Sequence, residues 1–377
     1  MAPKLLYLIT EDWFFFSHFL DRAKAAKRLG YDVVVATRPG SGVDRFREEG
    51  FGFIPIEINR RSVNPWAAWC SFWRIFIIYY QERPDLVHHI ALKPVLLGTI
   101  AAKFAGVKAV VNAPVGMGFL FSSDSRLATL LQPLIRMFLK VVLNAKGIRV
   151  VLENHDDLTM LSQLGAISSD RAVLIRGAGV DVTSFFPQPF PVGRCRVLLL
   201  ARMLGDKGVH EFVAAAKRLR SKGVEADFLL AGEPDPGNPT TISERELRDW
   251  HTEGAVQWLG QQGDVSKIIN QSHIVCLPSY REGLPKSLIE AMACGRPIVT
   301  TDVPGCREVV RDGDNGVLVP AKSVDELAKA LETLIGAPSL WASMGKRGRE
   351  RAEKEFATEI VCAETGTLYR KMVPICG

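Results

Sequence analysis

Short strand-like runs alternate with helical segments along the whole chain, and a sequence with that rhythm folds into parallel sheets built from βαβ units. The runs at 4–10, 32–37, 51–58, 86–90, 109–112, 148–153 and 172–175 read as strands. Helices fill the gaps. Ser17 is placed to cap a helix ending at Gly30, and 94–105 and 126–144 follow the fourth and fifth strands. The segment 185–193 then holds three prolines and no charge, a composition suited to a semi-rigid connection. After it the alternation restarts, with strands at 196–200, 226–231, 256–259, 274–277 and 297–300 and helices at 209–220, 243–253, 264–271 and 286–293. A chain of 377 residues is long enough for two cores. The expected architecture is α/β, with two doubly wound domains at 1–187 and 188–357 and a last helix within 358–377 placed to pack back onto the first. Ligands of such sheets bind outside the carboxyl ends of the strands, so a cleft between the domains is the expected site.

Charge and cysteine usage narrow the function classes. The formal net charge is +6, and residues 1–187 carry 22 Lys+Arg against 16 Asp+Glu while the remainder carries 25 of each. The excess therefore sits in the first half. It is compatible with an anionic partner there, a membrane surface, a lipid diphosphate or nucleic acid, although excesses of this size also occur without one. No groove-reading or base-stacking motif accompanies the charge, which argues against nucleic acid. The seven cysteines are odd in number with no Cys-x-x-Cys pair, so neither a zinc site nor a disulfide framework is expected. The apolar run 5–9 is followed at once by Glu11 and Asp12, too short and too acidic for a signal peptide. No stretch reaches the roughly 18 apolar residues of a spanning helix. A cytoplasmic protein with membrane contact only at its surface is expected.

The stretch Pro278-Ser-Tyr-Arg-Glu-Gly-Leu-Pro-Lys-Ser-Leu-Ile-Glu290 carries the most chemistry. A strand ends at Leu277, a loop carries Glu282 and Gly283, and a helix starts near Pro285. The backbone N–H groups of its first turn, Leu284 to Ser287, favour an anion such as a diphosphate. Glu290 falls one turn beyond Lys286. Upstream, the Gly-containing loop after the first strand of the second domain holds Arg202 and Lys207, a guanidinium and an ammonium suited to clamping one diphosphate. Such an arrangement serves a leaving group that departs with negative charge. A Glu-x7-Glu spacing alone is weak in a chain with 41 acids. Its weight comes from the Arg/Lys loop and the strand–loop–helix context.

With Glu282 and Glu290 in Glu-x7-Glu spacing and the Arg202…Lys207 pair upstream, the chain resembles retaining family-4 glycosyltransferases of the GT-B fold, two Rossmann-like domains facing across a cleft. The likeness extends over nearly the whole length. It is nearest to enzymes that extend lipid-linked saccharides for O-antigen, capsule or N-glycan precursors, through Tyr7-Leu-Ile-Thr-Glu-Asp-Trp13, Pro84-Asp-Leu-Val-His-His-Ile-Ala-Leu-Lys-Pro94, Gly179-Val-Asp181 and the stretch at 278–285. The resemblance implies transfer of a hexosyl or N-acetylhexosaminyl group from a nucleotide-diphosphate sugar, UDP-linked by expectation, to a polyprenyl-diphosphate-linked saccharide. Arg202 and Lys207 would hold the diphosphate, Glu290 the ribose and Glu282 the donor sugar. Backbone at Gly283, Leu284, Pro285, Lys286 and Ser287 would complete the phosphate cradle, and the loop from Gly260 to Val265 would flank the base. No metal or other cofactor is expected.

The sequence departs from the family pattern at His88-His89-Ile90, where many relatives carry His-x-His. A direct role for His88 or His89 stays an even choice against a structural one. Gly116, before Met117 and Gly118, would let backbone approach a ligand closely. Two segments bear on membrane contact. Trp66, Trp69, Trp73, Phe76 and Tyr80 recur at helical spacing and read as a core face. Residues 126–149 carry five basic residues and no acid among apolar ones, and read as an interfacial helix on an anionic membrane. The rival readings are a nucleotide-sugar 2-epimerase of the same fold and a non-catalytic nucleotide-sugar-binding protein. A dehydrogenase is disfavoured because no Gly-x-Gly-x-x-Gly follows any strand.

Overall fold

A computed structural model describes residues 2–59, 64–115, 137 and 139–375. The chain divides into two compact units, one of Met1–Ala178 with Glu359–Gly377 and one of Gly179–Thr358.

The first unit is a seven-stranded sheet of β1 (Lys4–Glu11), β2 (Asp32–Arg38), β3 (Gly52–Pro55), β4 (Leu86–Ile90), β5 (Ala109–Ala113), β6 (Ile148–Leu152) and β7 (Ala172–Leu174), in the order β3-β2-β1-β4-β5-β6-β7. Every pairing is parallel, as helical crossovers require. Helices cover both faces, so β1 reads as a continuous apolar run rather than an alternation. Leu5, Tyr7 and Ile9 enter one core cluster, and Leu6 and Leu8 enter the other.

The second unit is a six-stranded parallel sheet of β8 (Cys195–Leu200), β9 (Ala226–Ala231), β10 (Gln257–Trp258), β11 (Ile274–Leu277), β12 (Ile298–Thr301) and β13 (Gly316–Val319), in the order β10-β9-β8-β11-β12-β13. Val197 and Leu199 face one cluster and Leu198 the other. Two Rossmann-like doubly wound sheets, the GT-B architecture, are therefore present. β13 and the helices Val324–Ile335 and Pro338–Arg351 fall between the last strand and the last helix that the sequence pattern suggested, where it named no element.

Three local expectations are corrected. Ser17 does not cap a helix, because the helix starts at Asp12, ends at His18 and resumes at Leu20–Arg28, and the Ser17 hydroxyl is taken by His18 Nδ1 and the Phe14 carbonyl. The division falls after Ala178 rather than at 187, and the proline-rich segment is no free connection. Buried Arg296 donates to the carbonyls of Gln188 and Asn270 and lies 4.4 Å over the Phe190 ring, which fastens the segment to the second unit. Upstream, Asp181 accepts from Thr183 N and from the hydroxyls of Thr183 and Ser184. Burial alone would raise its carboxyl, but the hydrogen bonds from Ser184 and Thr183 outweigh it and bring the pKa down to about 2. Third, the aromatic stripe is not a core face. Helix Pro65–Glu82 buries Ser71, Ile75 and Tyr79 and leaves Trp66, Trp69, Trp73 and Tyr80 exposed.

The last helix, Thr358–Met372, returns to the first unit, where Val361, Leu368 and Tyr369 join its core. The Tyr369 hydroxyl sits 2.6 Å from His88 Nδ1 and 2.9 Å from the Tyr7 hydroxyl, and Tyr31 OH donates to the Val373 carbonyl at 2.8 Å. Removing the shared hydroxyl leaves a buried imidazole nitrogen without a partner. Tyr369→Phe is expected to lower unfolding stability by about 1–3 kcal/mol in a urea titration.

Candidate active site

The site of the second unit follows from its strand order. β8 pairs with β9 on one side and β11 on the other, so the sheet reverses its winding between β8 and β11. The loops leaving the carboxyl ends of these two strands must then splay apart and frame a crevice. The first carries Arg202 and Lys207, and the second carries Tyr280, Glu282 and Gly283.

Close packing locks the two loops together. Tyr280 N and the Ser279 hydroxyl both donate to the Asp206 carbonyl, at 2.9 and 3.0 Å. The Tyr280 hydroxyl donates to Glu211 Oε1 at 2.5 Å, and Lys322 Nζ lies 4.9 Å over its ring. Gly208 has φ +71, and a Cβ there would stand 2.0 Å from the Pro278 carbonyl oxygen. Lys207 Nζ reaches Glu282 Oε1 at 2.5 Å, with both side chains largely covered.

Helix Lys286–Ala293 starts directly after the second loop with Pro285 as its N-cap and no side-chain cap. The positive end of its dipole therefore favours an anion at this turn. One turn on, Lys286 Nζ lies 3.6 Å from Glu290 Oε1. Burial pushes the Glu290 carboxyl up to about 7, with Lys286 pulling the other way. This carboxyl is thus held near its own titration point at neutral pH.

Arg202 pairs with Asp235 Oδ2 at 2.6 Å, in the loop after β9. Beside that loop, Gly232 N donates to the Gly260 carbonyl, and Glu233 Oε1 accepts from Gln261 N at 2.9 Å. Gly260 has φ +64, while Val265 begins the helix Val265–Asn270 behind the Asp264 cap. The structure therefore gathers Lys207 with Glu282, Lys286 with Glu290, and Arg202 with the Asp235 loop. Asp206, Glu211, Tyr280 and Gly305 escaped the sequence reading. For Gly305 a signal existed in the Pro304-Gly305 turn after β12. It has φ +76, and a Cβ would lie 2.5 Å from the Gly283 carbonyl oxygen and 2.7 Å from that of Glu282.

His88 and His89 do not join a surface that a ligand reaches. Both are fully buried in β4. His88 meets Tyr369, and His89 places Nδ1 2.8 Å from Asn112 Oδ1 and Nε2 2.8 Å from the Tyr79 hydroxyl. Burial pushes the His88 imidazole well below its usual range and His89 to about 4, so both are neutral at pH 7. Burial and these partners support the structural side of the even choice, with His88 Nε2 the one ring nitrogen of the pair that has no hydrogen-bond partner among the described residues. Gly116, 126–136 and 138 lie outside the described residues, and within the described part of 126–149 Leu139, Val142 and Leu143 are buried in the first unit's core, which corrects the reading of this stretch as an interfacial face. Arg149 belongs to β6 and donates to the Ile148 carbonyl rather than extending a helix.

Two doubly wound parallel sheets, the second carrying a basic loop, two carboxylates and a helix start without a side-chain cap, are what a transferase scaffold of the expected class requires. Residues 182–351 match the family of glycosyl transferases group 1 and residues 4–149 the glycosyl transferase 4-like family, one match on each unit. The chain belongs to these glycosyltransferases. It is 26% identical over 367 residues to the N,N'-diacetylbacillosaminyl-diphospho-undecaprenol alpha-1,3-N-acetylgalactosaminyltransferase of Campylobacter jejuni, covering 93% of this chain and 94% of that one. It is 23% identical to the capsular polysaccharide biosynthesis glycosyltransferase CapM of Staphylococcus aureus, over 91% and 90% of the two chains. Among solved structures, a glycosyltransferase from Rickettsia africae superimposes with a TM-score of 0.78 at 18% identity over 100% of both chains. The Anabaena protein HepE, solved with UDP-glucose, gives 0.76 at 18% identity over 98% and 99%.

The Gly305 contact yields a prediction. Gly305→Ala must push the Glu282–Gly283 backbone aside, and a side chain at positive φ adds about 1–3 kcal/mol of strain. Lower thermal stability and weakened nucleotide binding in a calorimetric titration are expected together.

Proposed function

We propose that the chain is a retaining glycosyltransferase moving a hexosyl or N-acetylhexosaminyl group from a UDP-sugar to a hydroxyl of a polyprenyl-diphosphate-linked saccharide, in surface glycan biosynthesis. The observation that carries this reading is the Lys207–Glu282 pair set beside the uncapped start of helix Lys286–Ala293. The printed activity of the Campylobacter relative supports a lipid-linked acceptor, and the UDP-glucose in HepE supports the donor class.

In this reading Lys207 and the helix start hold the donor diphosphate, with Arg202 at its other side. Glu282, freed from Lys207 in part by the phosphate charge, accepts from hydroxyls of the donor sugar, and Glu290 accepts from the ribose. The bond from the sugar's anomeric carbon to the phosphate oxygen breaks and a bond to the acceptor oxygen forms on the same face. The acceptor's proton passes to a phosphate oxygen of the departing UDP, so no metal is called on. The enzyme works at the cytoplasmic side of the membrane, on an acceptor held there by its lipid.

A panel of UDP-, GDP- and dTDP-sugars tests the donor. A UDP-sugar at a hundred times its Kd should stabilise the protein by about 2.7 kcal/mol, and the other two classes should not. Lys207→Ala should abolish that shift, Glu282→Ala should mainly lower turnover, and EDTA should leave transfer intact. UDP release without any acceptor would instead favour the epimerase. Because ribose hydroxyls donate to an ionised Glu290, UDP affinity should rise with pH up to about 7 and level off above it. Titrations between pH 5.5 and 8.5 on the native protein and on Glu290→Gln, which should lose the dependence, check the sign.

A further inference from the structure

We infer that the exposed aromatic face of helix Pro65–Glu82 is a docking surface for an anionic lipid bilayer. This goes beyond the reading above, which names a lipid-linked acceptor but no membrane-docking surface, and it stands on residues other than the 126–149 stretch singled out in the sequence.

The helix is apolar on both sides. Ser71, Ile75 and Tyr79 point into the first unit's core, while Trp66, Trp69, Trp73, Ile77 and Tyr80 stand on the opposite side at 70, 52, 43, 48 and 63% exposure. An ordinary surface helix places polar residues there. Instead the rings support one another, with Trp69 and Trp73 centroids 5.6 Å apart, Trp73 and Phe76 5.5 Å, and Phe76 and Tyr80 6.2 Å. Phe104, 72% exposed at the end of helix Thr99–Phe104, extends the patch at 6.1 Å from Phe72. Ile77 and Arg74 also line an open groove of about 430 Å³ whose other walls include Pro39, Ile54, Ile56 and one acid, Glu57.

Charge and residue type select the occupant. Before Glu82, which is tied to Lys4 at 2.8 Å, the helix carries a single charge, Arg74, and no acid. Lys103 lies beside Phe104 in the chain. A second copy would set these cations against each other with no acid of the helix face to pair them. A membrane interface takes the same composition readily, since Trp and Tyr settle at the headgroup level and Arg and Lys meet lipid phosphates. Among the described residues no helix is long and apolar enough to cross a membrane, so the contact lies in the surface plane.

Cosedimentation with vesicles of phosphatidylcholine, with and without phosphatidylglycerol, tests the inference on the full chain. The native protein should bind the anionic vesicles, and vesicles of brominated lipid should quench its tryptophan fluorescence. Trp69→Ser with Trp73→Ser, both exposed, should keep the native melting temperature and lose roughly tenfold or more in partitioning; Arg74→Glu should lose binding to anionic vesicles chiefly. Unchanged binding by the double variant overturns the proposal, as does a native dimer in light scattering that the double variant dissolves. Transfer to a detergent-dispersed acceptor keeps the two readings apart. If the double variant is active there and fails on vesicles, docking stands; if the native protein transfers nothing, only the transferase reading falls.

Discussion

The reversal of strand order between β8 and β11 is the constraint on which the second unit's chemistry depends. All pairings in the sheet are parallel, so every crossover returns to the same end and every functional loop leaves from the carboxyl end. Only at the reversal do neighbouring loops diverge far enough to leave a crevice. Lys207 and Glu282, 75 positions apart in the chain, meet there because β8 and β11 are adjacent. The first sheet has the same reversal between β1 and β4.

Burial sets the electrostatic character of that crevice. A carboxylate and an ammonium at 2.5 Å, both mostly shielded from water, attract strongly but lose much of their hydration. Glu290 shows the unbalanced case, where a more distant Lys286 at 3.6 Å does not offset desolvation and the carboxyl rises to about 7. A site assembled this way holds its charges ready without water between them. In the proposed reading, a diphosphate arriving there would exchange one partner for another rather than strip a solvated ion, which is the economy that preorganised sites use.

Much of this was legible in the sequence, and the omissions share a cause. Continuous apolar runs give the parallel strands, and the strand–loop–helix context of 278–290 gives the helix start at Lys286, because both depend on neighbours in the chain. The partners of that stretch do not. Glu211 under Tyr280, and Gly305 against the Glu282 backbone, are brought in by tertiary packing from other crossovers. The proline-rich segment misled for the same reason: its composition describes stiffness, while Arg296, more than a hundred positions away, decides where it lies. His88 and His89 end a strand in sequence, yet Tyr369 from the returning last helix and Tyr79 from helix Pro65–Glu82 cover them.

The aromatic helix shows the limit most plainly. A stripe at helical spacing says that one side of a helix is apolar, and the usual inference is that this side faces the core. Here most of the residues between the aromatic positions are apolar too, so periodicity cannot choose a side, and the sheet takes the side of Ser71, Ile75 and Tyr79. Two of those three have a specific reason. Tyr79 offers a hydroxyl to buried His89, and Ser71 returns its own to the Ala67 carbonyl, so each enters the interior with its polar atom satisfied. A tryptophan on that side would need a buried acceptor for its indole N–H and more room than a serine leaves. The larger rings are consequently directed outward, where only another apolar phase can cover them.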